Sequence, residues 1–168
     1  MAERGKQPPD QPARRDRNVK ERRRDVEKAP GKLPEPTACP QCGAVVHKGR
    51  WTWGATPPKA REALCPACRR INANTPAGSL TMKGTYLRAH RQEILNLARN
   101  EEAKEKAEHP LSRIMSIKED GDTLVLSATD THMVRCIGEA LHHAHQGDFA
   151  IQYSKDEQFA RAIWAREE

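Results

Sequence analysis

The sequence predicts an α+β protein in three parts. A disordered basic arm spans residues 1–34, a four-cysteine ribbon spans 35–83, and an α-β-β-α-β-β antiparallel sandwich spans 84–168. Three observations predict it. Two C-P-x-C pairs stand 22 residues apart, from Cys42 to Cys65. The charge is unevenly spread along the chain. Beyond Pro110 the apolar period changes from helical spacing to alternation.

Composition bounds the rest. Of 168 residues, 36% are hydrophobic, 4% aromatic and 31% charged, too little apolar matter to fill one large core along the whole length. No apolar run approaches ~20 residues, so no membrane span is expected. No G-x-x-x-x-G-K-[ST] loop occurs, which argues against an NTPase and a nucleotide cofactor.

Residues 1–34 hold eleven Lys/Arg against six Asp/Glu, net +5. Arg22, Arg23 and Arg24 stand at the centre of the basic stretch, with prolines at both ends of the segment. Interspersed acids allow i,i+4 pairs such as Asp16–Lys20, but a helix without an apolar face is marginal alone. The segment reads as an arm that orders on a phosphate backbone, or as a solvated tail with no partner.

The ribbon holds seven Lys/Arg against two Asp/Glu, also net +5. Cys39, Cys42, Cys65 and Cys68 have the spacing of one tetrahedral zinc site: each two-residue gap lets a tight turn bring two sulfurs onto one ion. Two disulfides, or two redox C-x-x-C motifs, are the alternatives. No secretory signal is evident to favour disulfides, and a redox motif is usually single. Reduced thiols with zinc point to the cytoplasm. His47 is a weak fifth candidate, since four thiolates already fill the shell.

Between the knuckles, Lys48, Arg50, Trp51 and Trp53 place cations and indole rings on one short loop, and Arg69 and Arg70 follow the second knuckle. Cations meet phosphates and flat rings stack on unpaired bases, so the set suits RNA. One tryptophan is expected to serve instead as apolar cover for so small a metal module.

Asn72 to Lys83 reads as a connector with a short strand at 79–82. Thr85 is a candidate N-cap for a helix carrying Leu87, Ile94, Leu97 and Ala98, stopped by Pro110. Residues 113–118 and 123–128 flank Asp120-Gly121, a hairpin signal. Asp130 caps a second helix with Val134, Ile137, Leu141 and Ala144 on one face. Residues 149–153 and 159–166 supply the last two strands. Residues 84–168 hold eleven Lys/Arg against fifteen Asp/Glu, net −4, so a polyanion should meet the arm and ribbon, and a protein partner suits the acidic sandwich.

Smaller signals favour no catalysis. His142, His143 and His145 read as an exposed helix end. Cys136 reads as a small buried residue. His132 beside Asp130 has no nucleophile or third partner in view.

The segments from Cys39-Pro-Gln-Cys-Gly to Trp53, Leu64-Cys-Pro-Ala-Cys-Arg-Arg, and Thr129-Asp-Thr-His-Met-Val-Arg-Cys-Ile-Gly-Glu-Ala-Leu141 together resemble an uncharacterised family of bacterial zinc-ribbon proteins. That family is distantly similar to the eukaryotic and archaeal adaptor that rides the large ribosomal subunit during nuclear export. The resemblance covers residues 37–166 and implies association with rRNA or the ribosome, not export. The expectation is therefore a non-catalytic, zinc-dependent RNA-binding protein. The alternative is a zinc-stapled protein–protein adaptor that binds no RNA.

Overall fold

The computed structural model describes residues 32–156 and 158–168, so Arg22, Arg23, Arg24 and most of the basic arm lie outside the described residues. The fold is α+β, as expected, and consists of two sheets joined by a short link.

The first sheet is small. Strands β1 (Thr37–Ala38), β2 (Val45–His47), β3 (Arg50–Thr52) and β4 (Arg61–Glu62) lie in the order β3-β2-β1-β4. β2 and β3 form a hairpin through Lys48 and Gly49, both at positive φ (51° and 76°). That is the backbone a two-residue turn of matching twist needs. Helix α1 (Pro66–Ala73) starts at Cys65, carries Cys68 in its first turn and ends where Asn74 turns left-handed at φ 53°. This helix was not expected. Its signals were Pro66 just inside the start and Asn74 just past the end.

The second sheet has five strands: β5 (Gly78–Lys83), β6 (Ile114–Asp120), β7 (Thr123–Ala128), β8 (Asp148–Tyr153) and β9 (Ala160–Ala165), in the order β6-β7-β5-β9-β8. Four match the expected set. The fifth is the short strand read as part of the connector, and it occupies the centre. β5 pairs antiparallel with β7 and parallel with β9, so the sheet is mixed rather than purely antiparallel. Its residues alternate: Leu80 and Met82 are fully buried while Ser79 and Thr81 are only partly covered.

Helices α2 (Thr85–Glu108) and α3 (Thr131–His145) bury one stripe each in a single core with this sheet. α2 supplies Leu87, Ile94 and Ala98; α3 supplies Met133, Val134, Ile137 and Leu141. They meet Leu124 and Leu126 of β7 and Ala162 and Trp164 of β9. Ile163 points the other way and is exposed. Asp130 caps α3 as expected, accepting from Met133 N–H at 2.8 Å. α2 differs: Gly84 holds the cap position and makes no side-chain bond. The Glu167 carboxylate takes that part, accepting from Thr85 N–H at 3.0 Å and Thr85 Oγ1 at 2.8 Å, where a negative charge suits a helix start.

Candidate metal centre

Each knuckle is a turn whose backbone faces its sulfurs. In the first, β1 hands the chain to Cys39. Cys39 N–H donates to Ala44 O at 2.7 Å and Gly43 N–H donates to Cys39 O at 2.9 Å. Gly43 closes the turn at φ 82°, where a side chain would be strained. The second knuckle is a helix start. Cys65 is the N-cap of α1, and its Sγ accepts from Cys68 N–H at 3.4 Å. Pro66 costs no hydrogen bond there, because first-turn N–H groups have no helical partner.

The four sulfurs converge. All lie within 4.8 Å of one another, and none is in a disulfide. Cys42 Sγ and Cys65 Sγ are 3.7 Å apart. A disulfide needs about 2.05 Å. Tetrahedral thiolates about 2.3 Å from a zinc ion stand about 3.8 Å from each other. The measured separation matches the second figure. Cys39, Cys65 and Cys68 are buried, Cys42 is half-buried, and Trp51, Leu64 and Leu111 pack over the group. The geometry and the soft donor set fit zinc, and these four cysteines form a group that could bind it.

Electrostatics separate the four. Burial opposes ionisation at Cys39, but backbone hydrogen bonds from Cys65, Cys42 and Gln41 outweigh it and bring the thiol down to about 6. Burial pushes Cys65 far above the ordinary thiol range. Burial also raises Cys68, with Arg113 pulling the other way.

Arg113 is the residue that sequence reasoning missed. It comes from the segment leading into β6, 45 positions beyond Cys68. Its Nη1 lies 3.4 Å from Cys68 Sγ, and its Nη2 lies 3.3 Å from both Cys42 Sγ and Cys65 Sγ. Nε donates to Pro110 O at 2.7 Å, which fixes the fork. Burial alone would weaken its hold on the proton, but the hydrogen bond to Cys68 and the surrounding sulfurs raise its pKa. Only 7% of Arg113 is exposed. A buried arginine without a carboxylate partner is the signal of an anionic cluster nearby, but it shows only in three dimensions.

The expected RNA-contact residues divide. Lys48 and Arg50 stand exposed at the tip of the β2–β3 hairpin, away from the sulfurs at its base. Trp51 covers the cysteine group. Trp53 is exposed, and its Nε1 donates to Lys106 O at 2.5 Å, tying the ribbon to α2. Arg69 is half-buried, with Nε donating to Leu64 O at 3.2 Å. Arg70 is buried, and its Nη1 donates to Thr75 O at 3.0 Å, so it adds little to an exposed patch. His47 is exposed and stands outside the cysteine group.

Comparison of the chain with protein-family models, with curated proteins and with solved structures gives no match, so the functional reading rests on the chemistry of this site.

Proposed function

We propose that the protein is a non-catalytic, zinc-dependent RNA-binding protein that associates with the ribosome in the cytoplasm. Cys39, Cys42, Cys65 and Cys68 would hold zinc as a structural ion, since four thiolates leave no position open for a reacting water. The observation that carries the reading is the hairpin. Its base belongs to the cysteine clamp, while its tip presents Lys48 and Arg50 to solvent within a segment of net +5. A stiff cationic tip loses little entropy on meeting a phosphate backbone. The exposed face of Trp53 and the partly exposed Arg69 supply flat groups for unpaired bases.

The test is cosedimentation with ribosomes across a salt series. The full chain should pellet at low salt and be released as salt rises. Lys48→Ala with Arg50→Ala should lower the slope of log K against log salt by about 2 while zinc content stays unchanged. Trp51 is left alone because it covers the sulfurs. Absence of pelleting, or pelleting indifferent to salt, overturns the reading. Capture of a protein partner that survives both the double substitution and RNase favours the adaptor alternative.

A further inference from the structure

Three side chains from two helices meet at the seam between α2 and α3. Glu105 comes from the last turns of α2, while His132 and Cys136 sit one turn apart on α3. His132 Nε2 lies 3.1 Å from Glu105 Oε2 and 3.3 Å from Cys136 Sγ. Cys136 Sγ lies 3.8 Å from Glu105 Oε1. Glu105 and Cys136 are half-buried, His132 is exposed on the solvent side, and one ligand atom from each falls within 4.8 Å of the others.

We propose that Glu105, His132 and Cys136 form a second zinc site, with three protein ligands and a fourth position open to water. Zinc takes sulfur at about 2.3 Å and nitrogen or oxygen at about 2.0–2.2 Å, so tetrahedral ligand atoms of these kinds stand about 3.3–3.6 Å apart. His132 Nε2 stands 3.1 Å from one Glu105 oxygen and 3.3 Å from Sγ, and Sγ stands 3.8 Å from the other oxygen, so a small turn of the carboxylate brings one oxygen to that spacing from both. The donor set selects the metal. A thiolate beside an imidazole disfavours magnesium and calcium, which take oxygen ligands, and suits zinc or cobalt. Charge balances as well, because one thiolate and one carboxylate neutralise a divalent ion.

Without metal, hydrogen bonds hold the same three side chains together, His132 on one Glu105 oxygen and Cys136 on the other. Nε2–H and the Cys136 thiol both reach the Glu105 carboxylate. Burial pushes the Cys136 thiol up to about 12, with the Glu105, Glu139 and Asp130 carboxylates adding to the rise and Arg135 opposing it. Three carboxylates and one guanidinium thus bear on the thiol. An entering zinc ion replaces the thiol proton, which leaves to solvent. The imidazole keeps one proton, now on Nδ1, and Arg135 Nη2, 3.1 Å from that nitrogen, turns outward. The sequence hides the site because Glu105 stands 27 positions before His132. Helix packing supplies the third partner that His132 lacked in the linear reading.

The site is independent of the RNA reading and has its own test. Metal-free, reduced full-length protein is titrated with cobalt, followed by visible absorption and total metal analysis. Two equivalents should bind: one with the strong charge-transfer bands of four thiolates, and one weaker with a single-thiolate spectrum. Cys136→Ser and His132→Gln should each weaken the second equivalent about 100-fold or more, leaving the four-thiolate bands and the circular dichroism unchanged. Glu105→Gln, which keeps the shape, should do the same. Saturation of the unaltered protein at one equivalent overturns the proposal without any variant. So does a second equivalent that persists in the folded variants.

Discussion

Arg113 Nη2 lies 3.3 Å from Cys65 Sγ, so a side chain from the five-stranded sheet completes the surroundings of the cysteine group. A zinc ion with four thiolates carries a net charge of −2, and a buried guanidinium offsets half of it. The fork geometry matters, because one planar group reaches three sulfurs and a lysine ammonium has no such spread.

Replacing Arg113 with Met keeps the bulk and removes the charge. Zinc affinity should fall about 10- to 100-fold, as for other groups that support metal ligands without binding the metal. Stability should fall by about 2–4 kcal/mol, since a buried charged cluster loses its partner. Arg113→Lys should recover only part of either. Competition with a chromophoric chelator and urea unfolding check both figures. Unchanged zinc affinity in Arg113→Met would show that the contact is incidental.

The pH dependence of zinc binding follows from the raised thiols. Cys65 and Cys68 hold their protons at neutral pH in the metal-free protein, so zinc must displace both. Affinity therefore falls as pH falls, by about 100-fold per unit between about pH 7 and 8 for those two protons. Cys39, at about 6, is already mostly ionised there and steepens the slope only below that value. Calorimetry in buffers of different ionisation enthalpy should count at least two protons released per zinc. A count below two is the contrary result.

Gly84→Ala should destabilise the fold by about 3 kcal/mol or more. Gly84 has φ 112°, a backbone open almost only to glycine, and an added Cβ would run into the Arg166 carbonyl. That carbonyl accepts from Tyr86 N–H at 3.2 Å, so moving it uncouples the start of α2 from the end of β9. Alanine brings no compensating gain, because Gly84 is the N-cap, where glycine is preferred to alanine. Thermal and urea melts measure the difference, and a neutral outcome would mean the turn can re-form elsewhere.

Local chemistry made much of this legible in the sequence. The cysteine spacing located all four sulfurs, Asp130 announced its cap, and Asp120-Gly121 marked the β6–β7 turn. Leu87, Ile94 and Ala98 fell on the buried side of α2 as their spacing required. Long-range pairing stayed hidden. β5 has the composition of a connector and becomes a central strand only because β7 and β9 arrive on either side of it. Arg113 and Glu105 are ordinary charged residues until packing brings the cysteines to one and His132 to the other. Trp51 and Trp53 looked alike, but Trp51 lies within β3 and covers the sulfurs, while Trp53, just past the end of that strand, reaches the Lys106 carbonyl of α2.

The parallel pairing of β5 with β9 has a consequence for how the polypeptide matures. Gly78 meets Ala160 and Lys83 meets Ala165, so the middle of the larger sheet waits for a segment synthesised some eighty residues later. The four cysteines all lie within residues 39–68, so they can gather on an ion before Arg113 arrives to complete their surroundings. During translation the metal clamp can therefore close early, while the larger sheet waits through a long, entropically costly loop closure. The nascent chain thus carries a finished cationic hairpin before its acidic half has a shape.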